Sequence, residues 1–170
     1  SLPQIAADLG VEPVALKLAL TAYMLALAVF IPVSGWVADR FGARRVFMAA
    51  IGVFLVGSLG CAASSGLGQL VAGRFVQGVG GAMMVPVGRL VLLRSVEKSE
   101  LVRALSWLTV PAMLGPMLGP VVGGAITTYA HWRFIFLINL PMGVLGIWLA
   151  WRHIPELRQA VGPLDLRGFL

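Results

Sequence analysis

Residues 115–124 read GPMLGPVVGG, four glycines and two prolines in a run, 104–130, that carries no charged side chain. In a water-soluble helix each interior Gly costs about 1 kcal/mol and each interior Pro about 3 kcal/mol relative to Ala. A helix in lipid tolerates them, because neighbouring helices, hydroxyl side chains or trapped water re-satisfy the backbone groups they free. Gly115, Gly119 and Gly123 recur every fourth residue, a smooth stripe suited to close helix contact. Pro111, Pro116 and Pro120 lack an N–H, so the carbonyls of Trp107, Ala112 and Pro116 lose their helical partners. A GxxxG packing site explains the glycines alone; the prolines add a bend. The stretch therefore predicts a bent transmembrane helix pressed against a partner, and with it an all-α, polytopic membrane bundle.

The rest of the chain agrees. Of its 170 residues 59% are hydrophobic and 12% charged, and the mean hydropathy of +0.92 lies outside the range of ordinary water-soluble domains. A net charge of +6 invites a nucleic-acid reading, but the basic residues are scattered among short connections instead of clustered on one soluble face, which excludes it. The chain opens on Ser1 and a loop-like SLPQIAADLG, with no basic n-region and cleavage site, so it reads as an internal piece of a longer protein. Cys61 stands alone in an apolar run and reads as a small buried hydrophobe.

A crossing of the roughly 30 Å hydrocarbon layer takes about 20 apolar residues. Five segments qualify, over about 14–37, 46–63, 70–93, 101–127 and 134–151, leaving a polar tail, 152–170. Arg40, Arg44, Arg45, Arg94, Lys98, Arg103, Arg152, Arg158 and Arg167 all fall on one side of this arrangement, against Lys17 and Arg133 on the other. Cytoplasmic connections are enriched in Lys and Arg, so residues 1–13 are expected outside and 152–170 in the cytoplasm. The five tryptophans, Trp36, Trp107, Trp132, Trp148 and Trp151, lie near span ends, where aromatic anchors belong.

Two further groups carry chemistry. Between the first two spans, GWVADRFGARRVF packs Gly35, Asp39, Arg40, Gly42, Arg44 and Arg45 into eleven residues. A plain topology signal needs only the arginines. Asp39 is the addition, placed where the next helix's positive end and a nearby arginine favour an acid. Gly42 supplies a tight turn, and Gly35 leaves room for another helix. In the third span, LVAGRFVQGVGGAM sets Arg74, Gln77, Gly78 and Gly81 at i, i+3, i+4 and i+7, on one helical face. An arginine in a span normally faces the protein interior or a water-filled path. The alternative is snorkelling to the outer interface, which Arg74 could reach from about four residues inside the predicted edge.

These motifs resemble those of the major facilitator superfamily. The spacing G-x-x-x-D-R-x-G-x-R-R resembles its signature loop, and L-x-x-x-R-x-x-Q-G-x-G-G-A resembles a motif of its proton-coupled drug carriers, in which the arginine is assigned to proton transfer. The pattern G-x-x-x-G-P-x-x-G-G, placing Gly115, Gly119, Pro120, Gly123 and Gly124, resembles the antiporter signature. SLPQIAADLG looks like the end of a first-span motif in the drug/proton antiporter branch with about fourteen spans, and HWRFIFLINLPMGVLG looks like its sixth span. The resemblance implies one partial domain, 1–170, holding spans two to six of an incomplete N-terminal half. It also implies a multidrug efflux carrier of the cell membrane. By alternating access, that carrier would exchange protons for hydrophobic or amphipathic small molecules, with the proton gradient as energy source and no cofactor.

One feature limits what this chain does alone. Its acids, Asp8, Glu12, Asp39, Glu97, Glu100, Glu156 and Asp165, all read as lying in loops or the tail, and none lies within a predicted span. Proton-coupled carriers usually need an embedded acid that gains and loses a proton, and the resemblance implies that the missing first span supplies it, with Arg74, Gln77 and Gly78 as the candidates for the proton path and Arg74 tuning the carboxylate or organising water. The implied partners are therefore the bilayer, a small-molecule substrate, protons, and the first span and C-terminal half of the same protein. The chain alone is expected not to transport. Other readings are a major facilitator importer or uniporter of a metabolite, not expected to carry GPMLGPVVGG, and a non-transporting scaffold, which leaves Arg74 and Gln77 unexplained. Enzymatic chemistry is not expected, since His131 and His153 sit at span edges and no GxSxG or metal-ligand spacing is present.

Overall fold

A computed structural model of the chain describes residues 2–97 and 99–154. Lys98 and the tail from 155 onward, with Glu156, Arg158, Asp165 and Arg167, lie outside the described residues. The elements are α1 (Leu2–Leu9), a 3₁₀ turn (Pro13–Leu16), α2 (Lys17–Phe41), α3 (Ala43–Ala62), α4 (Leu67–Ser95), α5 (Leu101–Tyr129), α6 (Phe134–Leu137) and α7 (Asn139–His153). Among the described residues, four helical stretches are long and apolar enough to cross a membrane: Pro13–Phe41, Ala43–Ala62, Leu67–Leu93 and Phe134–His153. The 29-residue α5 takes the place of the remaining predicted span. The chain is an all-helical bundle of a multi-pass membrane protein.

Two expectations need correction. The opening SLPQIAADLG is a helix from Leu2, not a loop; its apolar side seats Ile5 and Ala6 against Leu16, Leu70 and Trp132. The signature over residues 35–45, expected as a cytoplasmic loop, is not a loop either. Gly35 to Phe41 complete α2 and Ala43 starts α3, so Gly42 alone turns the chain, with φ 97° and ψ 125°. Asp8 and Asp39 accordingly sit in helices. The last predicted span, 134–151, is found as the apolar stretch Phe134–His153, with a single turn residue, Ile138, between α6 and α7. Pro141 has no N–H to offer the Leu137 carbonyl, which accounts for the break.

Helix α4 lies at the centre, against α2 on one side and α3 on the other, and α7 packs on α3. Glycines make these approaches possible. A methyl group at Gly80 would meet the Phe54 backbone nitrogen of α3 at 2.5 Å, and one at Gly78 would meet the Tyr23 carbonyl of α2 at 2.7 Å. At Gly57 it would run into the backbone of Gln77. Backbone-to-backbone contact of this kind is how membrane helices associate without a hydrophobic driving force.

The close contact expected of the Gly115 stripe is not made here. Cβ positions at Gly115, Gly119, Gly123 and Gly124 meet nothing within 4 Å, and Met113 and Met117 are both 72% exposed. The same holds for Gly35. The small faces of α3 and α4 take the close contacts within this chain, leaving α5 at the periphery, where it touches mainly α6 and one end of α4. Its hydroxyls turn back onto its own carbonyls, Ser106 to Val102, Thr109 to Leu105 and Thr128 to Gly124, as suits a helix in an apolar medium.

Candidate functional site: a polar cluster around Arg74

Arg74 lies seven residues into α4, about 10 Å from its start at 1.5 Å per residue. Its Nη1 donates to Gln77 Oε1 at 2.7 Å, one turn deeper. The guanidinium stacks over Tyr23 of α2, 4.5 Å from the ring centroid, and stands 5.9 Å from the Phe136 ring. A desolvated cation over an aromatic face gains about 2 kcal/mol. Arg74 is thus engaged with interior groups from three elements rather than extended along α4 toward the interface.

Gln77 is the hub. It is 2% exposed, and its Nε2 donates to Ser58 Oγ of α3 at 2.7 Å. Ser58 is fully buried and also accepts from Asn139 Nδ2 of α7 at 3.2 Å. The result is a line of side chains, Arg74, Gln77, Ser58 and Asn139, joining three helices in the half of the bundle nearer α1. Gly78, on the same face as Arg74, lets the Tyr23 backbone come close. The arginine also borders a cavity of about 250 Å³ lined by Ile5, Leu16, Leu70, Ile135 and Phe136, in which it is the only charged residue among the described residues.

Ser58, Asn139 and Tyr23 were not singled out from the sequence. Asn139 is a polar side chain two residues before a proline in an apolar run, and Ser58 follows Gly57 in another. Both facts are visible in the sequence, but neither names a partner.

At the opposite end, Gly42 donates its N–H to Ala38 O at 2.9 Å and accepts from Val46 N at 3.0 Å, closing one helix and opening the next. Ala38, Ala43 and Val46 are buried against Val87 and Val91 of α4. Arg40 lies over the Trp36 and Phe41 rings at 5.3 and 5.9 Å. Asp39 and Arg44 are partly buried and Arg45 is exposed. The signature residues thus gather at one end of the bundle, with Arg40 and Arg45 at the rim of an apolar groove of about 490 Å³ between α2, α3 and α4. Gly115, Gly119, Pro120, Gly123 and Gly124 of α5 do not join either group; all but Gly123, which is partly covered, are exposed.

Beyond the Arg74 cluster, α1 is tied down at its own end. Trp132 Nε1 donates to Asp8 at 3.0 Å, and His131 and Arg133 stand 3.5 and 3.9 Å from the same carboxylate. Arg133 also donates to the Ser64 carbonyl, and Gln4 to that of Thr127. Among the described residues no three His, Cys, Asp or Glu are grouped to hold a metal ion.

The Major Facilitator Superfamily profile matches residues 1–164. The chain is 44% identical over all 170 residues to a protein of Pectobacterium carotovorum subsp. carotovorum (strain PC1) named "Putative multidrug resistance protein MdtD". It is 45% identical over the same length to proteins of that name from Salmonella paratyphi B and Salmonella newport. In each case the match covers 100% of this chain and 36% of the relative, so the chain spans about a third of their length. With its helices long enough to cross a membrane and its motifs on them, the chain belongs to the major facilitator superfamily.

Proposed function

We propose that the full-length protein exports hydrophobic or amphipathic small molecules across the cell membrane in exchange for protons. Substrate leaves by alternating access as protons enter. The observation that carries this reading is the Arg74–Gln77 pair, a partly buried charge held by a buried amide and other interior partners, which a helix scaffold has no use for. The names of the 44–45% identical relatives support drug efflux as its direction and substrate class.

In this reading Arg74 remains protonated and tunes a carboxylate brought by the preceding span. The residues around Gly42 latch the two halves at the cytoplasmic end, and the Gly115–Gly124 helix packs against parts of the protein beyond this chain, limiting leak. The 170-residue chain alone does not transport. Residues 1–13 face outward and the tail faces the cytoplasm.

The test is Arg74→Ala in the full-length protein, reconstituted in liposomes. Proton-coupled substrate flux is expected to vanish while the protein remains inserted. Normal coupled flux in this variant would mean that the guanidinium serves only packing or the interface.

A further inference from the structure

We propose that Ser58 and Asn139 are positioning residues for Arg74, so that α3 and α7 hold the guanidinium in place for proton coupling; this rests on the reading of Arg74 given above. Asn139 lies within the HWRFIFLINLPMGVLG segment and Ser58 in none of the family motifs, and the resemblance gives neither a role. Hydrogen-bond direction ties both residues to Arg74. A side-chain amide has one accepting and one donating end. Gln77 can turn its oxygen to Arg74 only while its buried NH₂ group has an acceptor elsewhere, and Ser58 Oγ is that acceptor at 2.7 Å. At 2% exposure Gln77 has almost no access to water as a substitute. Without the serine oxygen the amide has to swing toward another acceptor, carrying its own oxygen away from Arg74.

Asn139 acts one step further out. It donates to the same Ser58 oxygen at 3.2 Å, from an element other than the one bearing Gln77. It sits at the first residue of α7, immediately after the break at Ile138. Its side chain therefore fixes the serine rotamer from the start of that helix, and a movement of this helix end is transmitted to Arg74 through three hydrogen bonds, between Asn139 and Ser58, Ser58 and Gln77, and Gln77 and Arg74. The other groups around the guanidinium cannot do this. Tyr23 and Phe136 offer ring faces, which attract the cation without fixing its in-plane orientation.

The test compares Ser58→Ala, Asn139→Leu, the double variant and Ser58→Thr in the full-length protein, reconstituted in liposomes, and counts protons moved per substrate exported. Ser58→Ala is expected to lower that ratio about three- to ten-fold, the weight of one or two interhelical hydrogen bonds. Asn139→Leu lowers it less, and the double variant no further than Ser58→Ala, because both act through one oxygen. Ser58→Thr, which keeps the hydroxyl, restores it. A role in packing alone changes the yield of folded protein and leaves the ratio untouched. If Ser58→Ala is not recovered from the membrane, Asn139→Leu decides, since Asn139 is only partly buried. An unchanged ratio in whichever variant decides, with a coupled wild type, overturns the inference. A wild type that moves no protons overturns the antiport reading itself.

Discussion

Arg74 and Gln77 were legible because they are three residues apart on one helix, and helical geometry makes such residues neighbours whatever surrounds them. Their hydrogen bond at 2.7 Å is the local consequence. Ser58 and Asn139 were not legible, because their partners are 19 and 81 residues away along the chain and no local period links them. Replacing Gln77 with Leu tests the hub as a whole. It removes Arg74's hydrogen-bond acceptor and leaves the Ser58 and Asn139 groups without the amide. We expect a loss of about 1–3 kcal/mol in stability, read by detergent unfolding of the full-length protein, together with loss of coupling. At Gly42 the backbone decides. Its φ of 97° with ψ of 125° belongs to a region open only to glycine, outside the left-handed helical region that Asn tolerates. Both Gly42→Ala and Gly42→Asn should therefore destabilise, by about 1–3 kcal/mol in the same unfolding measurement.

Among elements, α2, α3 and α4 each follow their apolar runs, with ends extended by three or four residues at most beyond the predicted limits. Hydropathy marks where a helix enters the hydrocarbon, whereas backbone hydrogen bonding continues into the interface, so these small extensions are expected. The tight glycines of α4 and the open glycines of α5 look alike in sequence. What separates them is the partner, and only the packed structure supplies it. Gly80→Ala must push α3 away from a 2.5 Å approach and should lower stability by about 1–3 kcal/mol. Gly52→Ala meets nothing within 4 Å and should leave stability unchanged or raise it by up to about 1 kcal/mol. Thermal unfolding of both variants in one detergent checks the pair; equal losses would contradict the placement of α4 against α3.

For the molecule as a whole, the Lys/Arg asymmetry predicts an orientation that labelling can read. The natural Cys61 is buried and donates to the Leu70 carbonyl, so it provides a quiet background. A cysteine at exposed Ser65, between α3 and α4, should react with a membrane-impermeant maleimide added to intact cells. One at exposed Ser99, between α4 and α5, should react only after the cells are opened. The acids bear on the proposed exchange. No acid lies within membrane depth among residues 14–37, 46–63, 70–93, 101–127 and 134–151, and in the structure Asp39 stays at the end of α2 while Asp8 is engaged at the far end by Trp132. An arginine can tune a proton carrier without being one, so the proposed coupling takes its carboxylate from elsewhere in the protein. The most direct test of exchange is to place the full-length protein in liposomes, impose a proton gradient, and follow several lipophilic cations together with internal pH. Cation flux driven by the gradient, with protons moving in the opposite direction, is predicted. Flux indifferent to the gradient, with no proton counterflow, would contradict it.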